Sequence, residues 1–507
     1  MKKKLWALAV TAAFVLIAGC LLAGTSGMRV FAAEAKDLTA SVTIFPSDWN
    51  WVLRNGQENG AANLPAGTVL TVSSPEPVGG LYLVFDTAVR WTLGTPAGSE
   101  QRGQDGFLHE YVPVNGEKEL TLSFPEGAEL CEITVLSEGT LPDRIQVWKK
   151  NDSVCDLLLI STHADDEQLF FAGVLPWYAG ECGYEVQVAY FTNHRAWEKN
   201  RQHEQLNGLW TVGVTRYPVF GDLPDYWDGT TKTLQFGYDT SAWNGFSKEK
   251  LVGFQVELLR RFQPLVVVGQ DVNGEYGHPQ HQVNVDTLRQ ALEISADAEK
   301  YPESAGKYGT WDVPKTYLHL WGEHRITMDW DRPIAKFGGK TAYEMTKLGY
   351  ACHFSQQYTW FTRWLNGDDG SFTSAKQIGD YSPCLWGLYR TNVGYDDAGG
   401  DFFEHLYARG HEPPPETEPE TEPQTEPETV PETVPVTEPV TDAVTEAETL
   451  PETVSVTEGE TLPATEKTTE TGTEPENAGS RGTALILFLL SALLVFGGIL
   501  LYVNRRK

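Results

Sequence analysis

Cysteine is scarce in this chain of 507 residues: there are six, and Cys20 falls in an apolar N-terminal stretch, which leaves Cys131, Cys155, Cys182, Cys352 and Cys384. Five cysteines without close spacing exclude a disulfide framework, although a single Cys352 to Cys384 bridge stays open. Basic charge is also in deficit, with 39 Lys and Arg against 69 Asp and Glu and a net charge of −30. That balance argues against nucleic acid as a partner. Residues 412–480 hold 19 acidic residues against one lysine, so 18 of the 30 net negative charges sit there. The same stretch, beginning "EPPPETEPETEPQTEPETVPETVP", lacks large apolar side chains and cannot bury enough surface to offset chain entropy. It reads as a disordered, extended Pro/Thr/Glu-rich stalk.

Both ends carry targeting signals. Three lysines follow Met1, an apolar stretch runs from Leu5 to Leu22, and small residues surround "VFAAEA" at 30–35. This is the plan of a signal peptide over 1–35, cleaved between Ala32 and Ala35. "IAGC", ending at Cys20, is a rival lipoprotein box. Residues 483–503 carry no charge and are followed by the basic tail 504–507, which predicts a transmembrane helix with its C-terminus inside. "LPATE" at 462–466 raises a sortase reading, but it lacks the final glycine and lies far from the apolar segment. The expectation is a single-pass protein of the cell membrane, held through its C-terminal helix, with the body extracellular.

Sustained helical periodicity is missing from residues 37–150. "ASVTIF", "TVLTVS", "GLYLVFD", "FLHEYVPV", "ELTLSF" and "ELCEITVLS" are short β-type runs between turn residues, which predicts a β-sandwich. The last runs, with "LPDRIQVWKK", resemble the closing strands of galactose-binding-like (discoidin-type) jelly rolls. From 153 the rhythm alternates. "DLLLIS", "YEVQVAYFT", "TRYPVF" and "PLVVVG" read as strands. "EQLFFAGVLPWYAG", "RQHEQLNGLWTVGV", "SKEKLVGFQVELLRRF" with Ser247 as N-cap, and "HQVNVDTLRQALEIS" read as helices. This predicts an α/β, Rossmann-like parallel sheet over 153–411, with its ligand beyond the carboxyl ends of the strands.

That rule gives meaning to "HADDE" after the first strand and "NGEYGHPQHQ" after "PLVVVG". Three acids at a helix start also act as a cap, and "GHPQH" alone is a common loop. Together, at one rim of one sheet, they point to a metal. His163 and Asp166, three positions apart, can address one ion, and His281 can supply a third donor. Three His or carboxylate ligands with an open fourth position are the mark of catalytic zinc. A spare carboxylate beside the zinc-bound water suits a hydrolase.

Through these residues, 153–411 resembles the PIG-L/LmbE family of zinc-dependent N-deacetylases. "THADDE" is similar to the family's A-H-P-D-D-E, and "HPQH" to its H-P-D-H. The resemblance implies zinc on His163, Asp166 and His281, with Asp165 as general base. It implies that His278 steadies the oxyanion or protonates the leaving amine. Tyr276 stands where some members place a substrate-facing tyrosine, and Arg201 in "RQHE" is similar to a sugar-contacting arginine. Ala164 replaces the motif proline and Gln280 the acid of the second motif. "HFSQ" at 353–356 also looks familial, although His353 reads equally well as a structural histidine.

The implied reaction removes the acetyl group from an N-acetylhexosamine glycan of the GlcNAc type. Two rival readings stand beside it: a surface glycan-binding adhesin on an idle deacetylase-like scaffold, and a zinc amidase acting on another acylated amine.

Overall fold

The computed structural model describes residues 33–194 and 199–411. Residues 37–150 form two antiparallel sheets. The five-stranded sheet runs, in spatial order, Thr43–Phe45, Thr68–Ser73, Glu119–Phe124, Trp91–Thr95, Gly98–Arg102. The four-stranded sheet runs Ala62–Leu64, Ala128–Leu136, Gly80–Phe85, His109–Pro113. Alternation along Glu119–Phe124 turns Leu120, Leu122 and Phe124 inward. They join Leu81, Leu83 and Phe85 of the facing sheet in one core, as in a sandwich. Gly80–Phe85 is buried on both faces, because Tyr82 and Val84 turn away from that core into a second cluster. Residues 33–35, inside the stretch assigned to export, already pair with this layer: Ala35 donates its N–H to the Thr140 carbonyl at 2.8 Å.

The second layer is a seven-stranded sheet. Its strands are β1 (Leu157–Ser161), β2 (Val186–Asn193), β3 (Val219–Pro224), β4 (Val266–Gly269), β5 (Lys315–His319), β6 (Arg325–Thr327) and β7 (Leu385–Thr391), in spatial order 3-2-1-4-5-7-6. The first five are parallel, whereas β7 pairs antiparallel with both β5 and β6. Residue alternation divides β1 between two cores. Leu157 and Leu159 enter one, and Leu158 and Ile160 enter the other. Burial on both faces explains the unbroken apolar run. Helices α1 (Asn200–Thr211), α2 (Leu234–Trp243), α3 (Lys248–Phe262) and α4 (Pro279–Ile294) cover the sheet. Ser247 caps α3 as expected, its hydroxyl accepting the Lys250 N–H.

Two expectations are corrected and one open possibility is closed. "EQLFFAGVLPWYAG" is not a regular helix: turns run to Gly173, and a short π-helix spans Pro176–Glu181. Gly173 has φ 86°, and a Cβ there would lie 2.2 Å from the Trp330 ring, so the backbone leaves the helical region to pack that indole. Cys352 and Cys384 form no bridge, since all five described cysteines are free. The membrane location is overturned as well, because no helix of the described residues is long and apolar enough to cross a membrane. The longest, α4, has 16 residues and carries Gln, Asn, Asp and Arg. At 1.5 Å per residue it reaches roughly 24 Å, short of a hydrocarbon core of about 30 Å. Residues 1–32, 412–480, 483–503 and 504–507, on which the expectation rested, lie outside the described residues.

Candidate metal centre

Strand order reverses at β1, whose neighbours β2 and β4 lead to opposite edges of the sheet. In open α/β sheets that reversal opens a crevice at the strand ends. His163 lies two residues beyond β1, and the loop after β4 leads through Tyr276 and His278 into α4. Two non-glycine residues here have positive φ, Asp165 at 108° and Tyr276 at 49°. Such conformations are strained and persist only where the surroundings over-determine them.

Three donor atoms form a triangle. His163 Nδ1 is 2.8 Å from His281 Nε2 and 3.4 Å from Asp166 Oδ2, and His281 Nε2 is 3.2 Å from Asp166 Oδ2. Ligands about 2.0–2.2 Å from a tetrahedral zinc lie roughly 3.3–3.6 Å apart; the two sides that meet Asp166 Oδ2 are near that length, and the side between the imidazoles is shorter. The outward ring nitrogens face carboxylates: His163 Nε2 lies 3.2 Å from Asp225 Oδ1, and His281 Nδ1 lies 2.7 Å from Glu275 Oε2. Glu275 also meets His319 Nδ1 at 2.7 Å. Carboxylates in that position fix the tautomer and orientation of a ligating imidazole. Gln270 Nε2 and the His163 N–H both donate to Asp166 Oδ2, at 2.9 and 2.8 Å.

Adjacent carboxylates are driven apart electrostatically. Burial would raise Asp166, but His281 and His163 hold it well below the usual carboxylate range. Burial pushes Asp165 up to about 7 against the pull of Arg201. Burial likewise works against Glu275, which His281 and His319 bring down to about 2. His278 is held well below the ordinary histidine value by burial, then by His163 and His281. Its Nδ1 accepts the Gln280 N–H at 3.3 Å as the N-cap of α4. The neutral ring therefore carries its proton on Nε2. His278 also offers a ligand atom within 4.8 Å of those of His163 and His281.

Residues 158–292 match the family model described as "PIG-L: GlcNAc-PI de-N-acetylase". They are a PIG-L family domain. The chain is similar to 1D-myo-inositol 2-acetamido-2-deoxy-alpha-D-glucopyranoside deacetylase 1 of Catenulispora acidiphila, 26% identical over 178 residues, 32% of this chain and 54% of that one. It is also similar to the mycothiol S-conjugate amidase of Streptomyces coelicolor, 44% identical over 77 residues, 15% of this chain and 26% of that one. The chain thus spans about half, or less, of the length of these relatives. The solved N,N'-diacetylchitobiose deacetylase of Pyrococcus horikoshii overlaps 47% of this chain and 83% of its own at 15% identity and a TM-score of 0.31, too slight a likeness to support an argument.

The PIG-L domain brings His163, Asp165, Asp166, Tyr276, His278 and His281 together. The Tyr276 ring centre lies 5.7 Å from that of His278 and 5.5 Å from that of His281. Arg201 is buried, with its guanidinium on the Ala164 carbonyl and 3.5 Å from Asp165 Oδ2. Ala164 donates its N–H to His194 Nε2 at 3.2 Å, a bond that proline cannot make. Glu167 Oε1 meets His353 Nε2 at 2.7 Å, so His353 braces the turn. Asp225, Gln270, Glu275 and His319 escaped the sequence reading. Asp225 and His319 stand at the ends of β3 and β5, where the strand-end rule could have found them.

Proposed function

We propose that the PIG-L domain is a zinc-dependent N-deacetylase acting on an N-acetylhexosamine of the GlcNAc type, with the β-sandwich at 37–150 and the catalytic layer at 153–411. The observation that carries the reading is the His163, Asp166 and His281 triangle with Asp165 beside it, inside a PIG-L match. The 2-acetamido sugar in the name of the Catenulispora relative supports the substrate class.

His163, Asp166 and His281 would hold the ion. When bound, zinc supplies Lewis acidity toward the acetyl carbonyl and lowers the pKa of water. Asp165, pushed up by burial to about 7, is poised to take the proton as water adds to the acetyl carbon. His278 Nε2–H donates a hydrogen bond to the oxygen that gains charge, and the proton that Asp165 has taken is available to the departing nitrogen. The carbon–nitrogen bond breaks, giving acetate and a free amine. Tyr276 flanks the acetyl-binding side, while Arg201 holds the Asp165 turn.

A second reading, an amidase on a different acylated amine, is favoured by the similarity to the Streptomyces amidase. One experiment separates the readings: the purified full chain is assayed for bound metal, for acetate release from GlcNAc and chitooligosaccharides, and for amine release from N-acylated thiol conjugates. Acetate from the sugars together with bound zinc supports the proposal. A zinc-loaded chain that cleaves only the conjugates replaces it with the second reading.

A further inference from the structure

Another group of metal-capable side chains lies between the four-stranded sheet and α1, apart from the triangle. Glu58, His109 and His203 each present one ligand atom, all within 4.8 Å of one another. His109 Nε2 and His203 Nδ1 are 2.8 Å apart, the separation also seen between His163 Nδ1 and His281 Nε2. Both imidazoles are buried, and Glu58 is half-buried. Two imidazoles and a carboxylate are a donor set that zinc sites use when one coordination position is left open.

The surroundings orient these donors. The Tyr82 hydroxyl sits 3.0 Å from His109 Nδ1, on the far side of the ring from His203. Asn207 Nδ2 donates to Glu58 Oε2 at 2.7 Å, and Gln146 Nε2 donates to Asn207 Oδ1 at 2.6 Å. Bonds of this kind fix tautomer and carboxylate direction around metal ligands. A cavity of about 630 Å³, lined by Glu58, Tyr82, Asn207, Arg54, Glu132 and Arg144, adjoins the cluster. Glu58 belongs to both the cluster and the lining of this cavity. Asp86 and Cys131 also approach His203, but Asp86 is engaged in an ion pair with Lys199.

We propose that Glu58, His109 and His203 form a second divalent-metal site of the zinc type, which clips the β-sandwich to α1. Helix α1 also carries Arg201, so the clip lies on the element that grips the Asp165 turn. The plain alternative is a hydrogen bond between the two imidazoles with no ion.

Metal stoichiometry decides, independently of any deacetylase activity. The full chain is dialysed against low micromolar zinc and its bound metal is measured, with cobalt substitution as a spectroscopic check. Two tight equivalents are expected in the wild type and one each in Glu58→Gln, His109→Gln and His281→Ala. Glu58→Gln is conservative and only half-buried, so it decides the matter if His109→Gln misfolds; circular dichroism checks both. A folded Glu58→Gln that binds as much metal as the wild type, whether that is one equivalent or two, overturns the proposal.

Discussion

The Arg201 guanidinium lies 3.5 Å from the Asp165 carboxylate and donates to the carbonyl of the preceding residue, Ala164. Helix α1 therefore holds both the backbone and the side chain of the turn between His163 and Asp166. Asp165 has φ 108°, a conformation that costs an unsupported non-glycine residue on the order of 1–3 kcal/mol. The arginine is part of what keeps it there.

Arg201→Met should lower kcat by about 10- to 100-fold, because a base displaced by about an ångström loses rate on that scale. KM for the sugar and the metal content should stay close to wild type. Steady-state kinetics on the folded variant check this. A raised KM with unchanged kcat would instead return Arg201 to the sugar-contacting role that the "RQHE" resemblance implied.

Glu275 accepts from two imidazoles at once, meeting His281 Nδ1 and His319 Nδ1 at 2.7 Å each. Glu275→Gln keeps the shape but loses the charge that sets the His281 tautomer. Zinc affinity should fall roughly 10- to 100-fold, the usual effect of removing such a partner. A competition titration with a chelator measures it, and unchanged affinity would show that His281 needs no carboxylate behind it.

What could be read from the sequence followed the range of the interactions. Ser247 announced the start of α3 because capping needs only neighbouring residues. His163, Asp166 and His281 could be grouped because two local motifs each follow a buried strand, and fold rules bring such strand ends together. Asp225 and His319 reach the same region as single residues without a motif. His109 and His203, 94 positions apart and in different layers, share no local pattern at all. The helix expected after "HADDE" failed because its apolar spacing is real but tertiary packing wins, with Gly173 leaving the helical region beneath Trp330.

Gly173→Ala should for that reason be strongly destabilising. Its φ of 86° disfavours any Cβ, and that Cβ would meet the Trp330 ring at 2.2 Å. Left-handed strain and overpacking together should cost about 3 kcal/mol or more. Urea denaturation of the variant should show a lower midpoint. An unchanged midpoint would mean that the indole moves aside freely.

Asp165 and Asp166 are neighbours in sequence and opposites in environment, which allows their proposed roles to be separated. Asp166 Oδ2 faces His163 Nδ1 and His281 Nε2 at 3.4 and 3.2 Å. Asp165 instead points toward Arg201, and its backbone N–H donates to Glu167 Oε2 at 2.9 Å. Asp166→Asn removes an anionic donor from the triangle, so bound zinc and acetate release should fall together. Asp165→Asn leaves the triangle whole, so zinc should remain near the wild-type level while turnover drops about 100-fold or more, the scale of a positioned general base. Metal content and turnover measured on the same preparations distinguish the two. If Asp165→Asn empties the site and Asp166→Asn does not, ligand and base are interchanged. If both variants keep zinc and full activity, neither carboxylate takes part in the reaction.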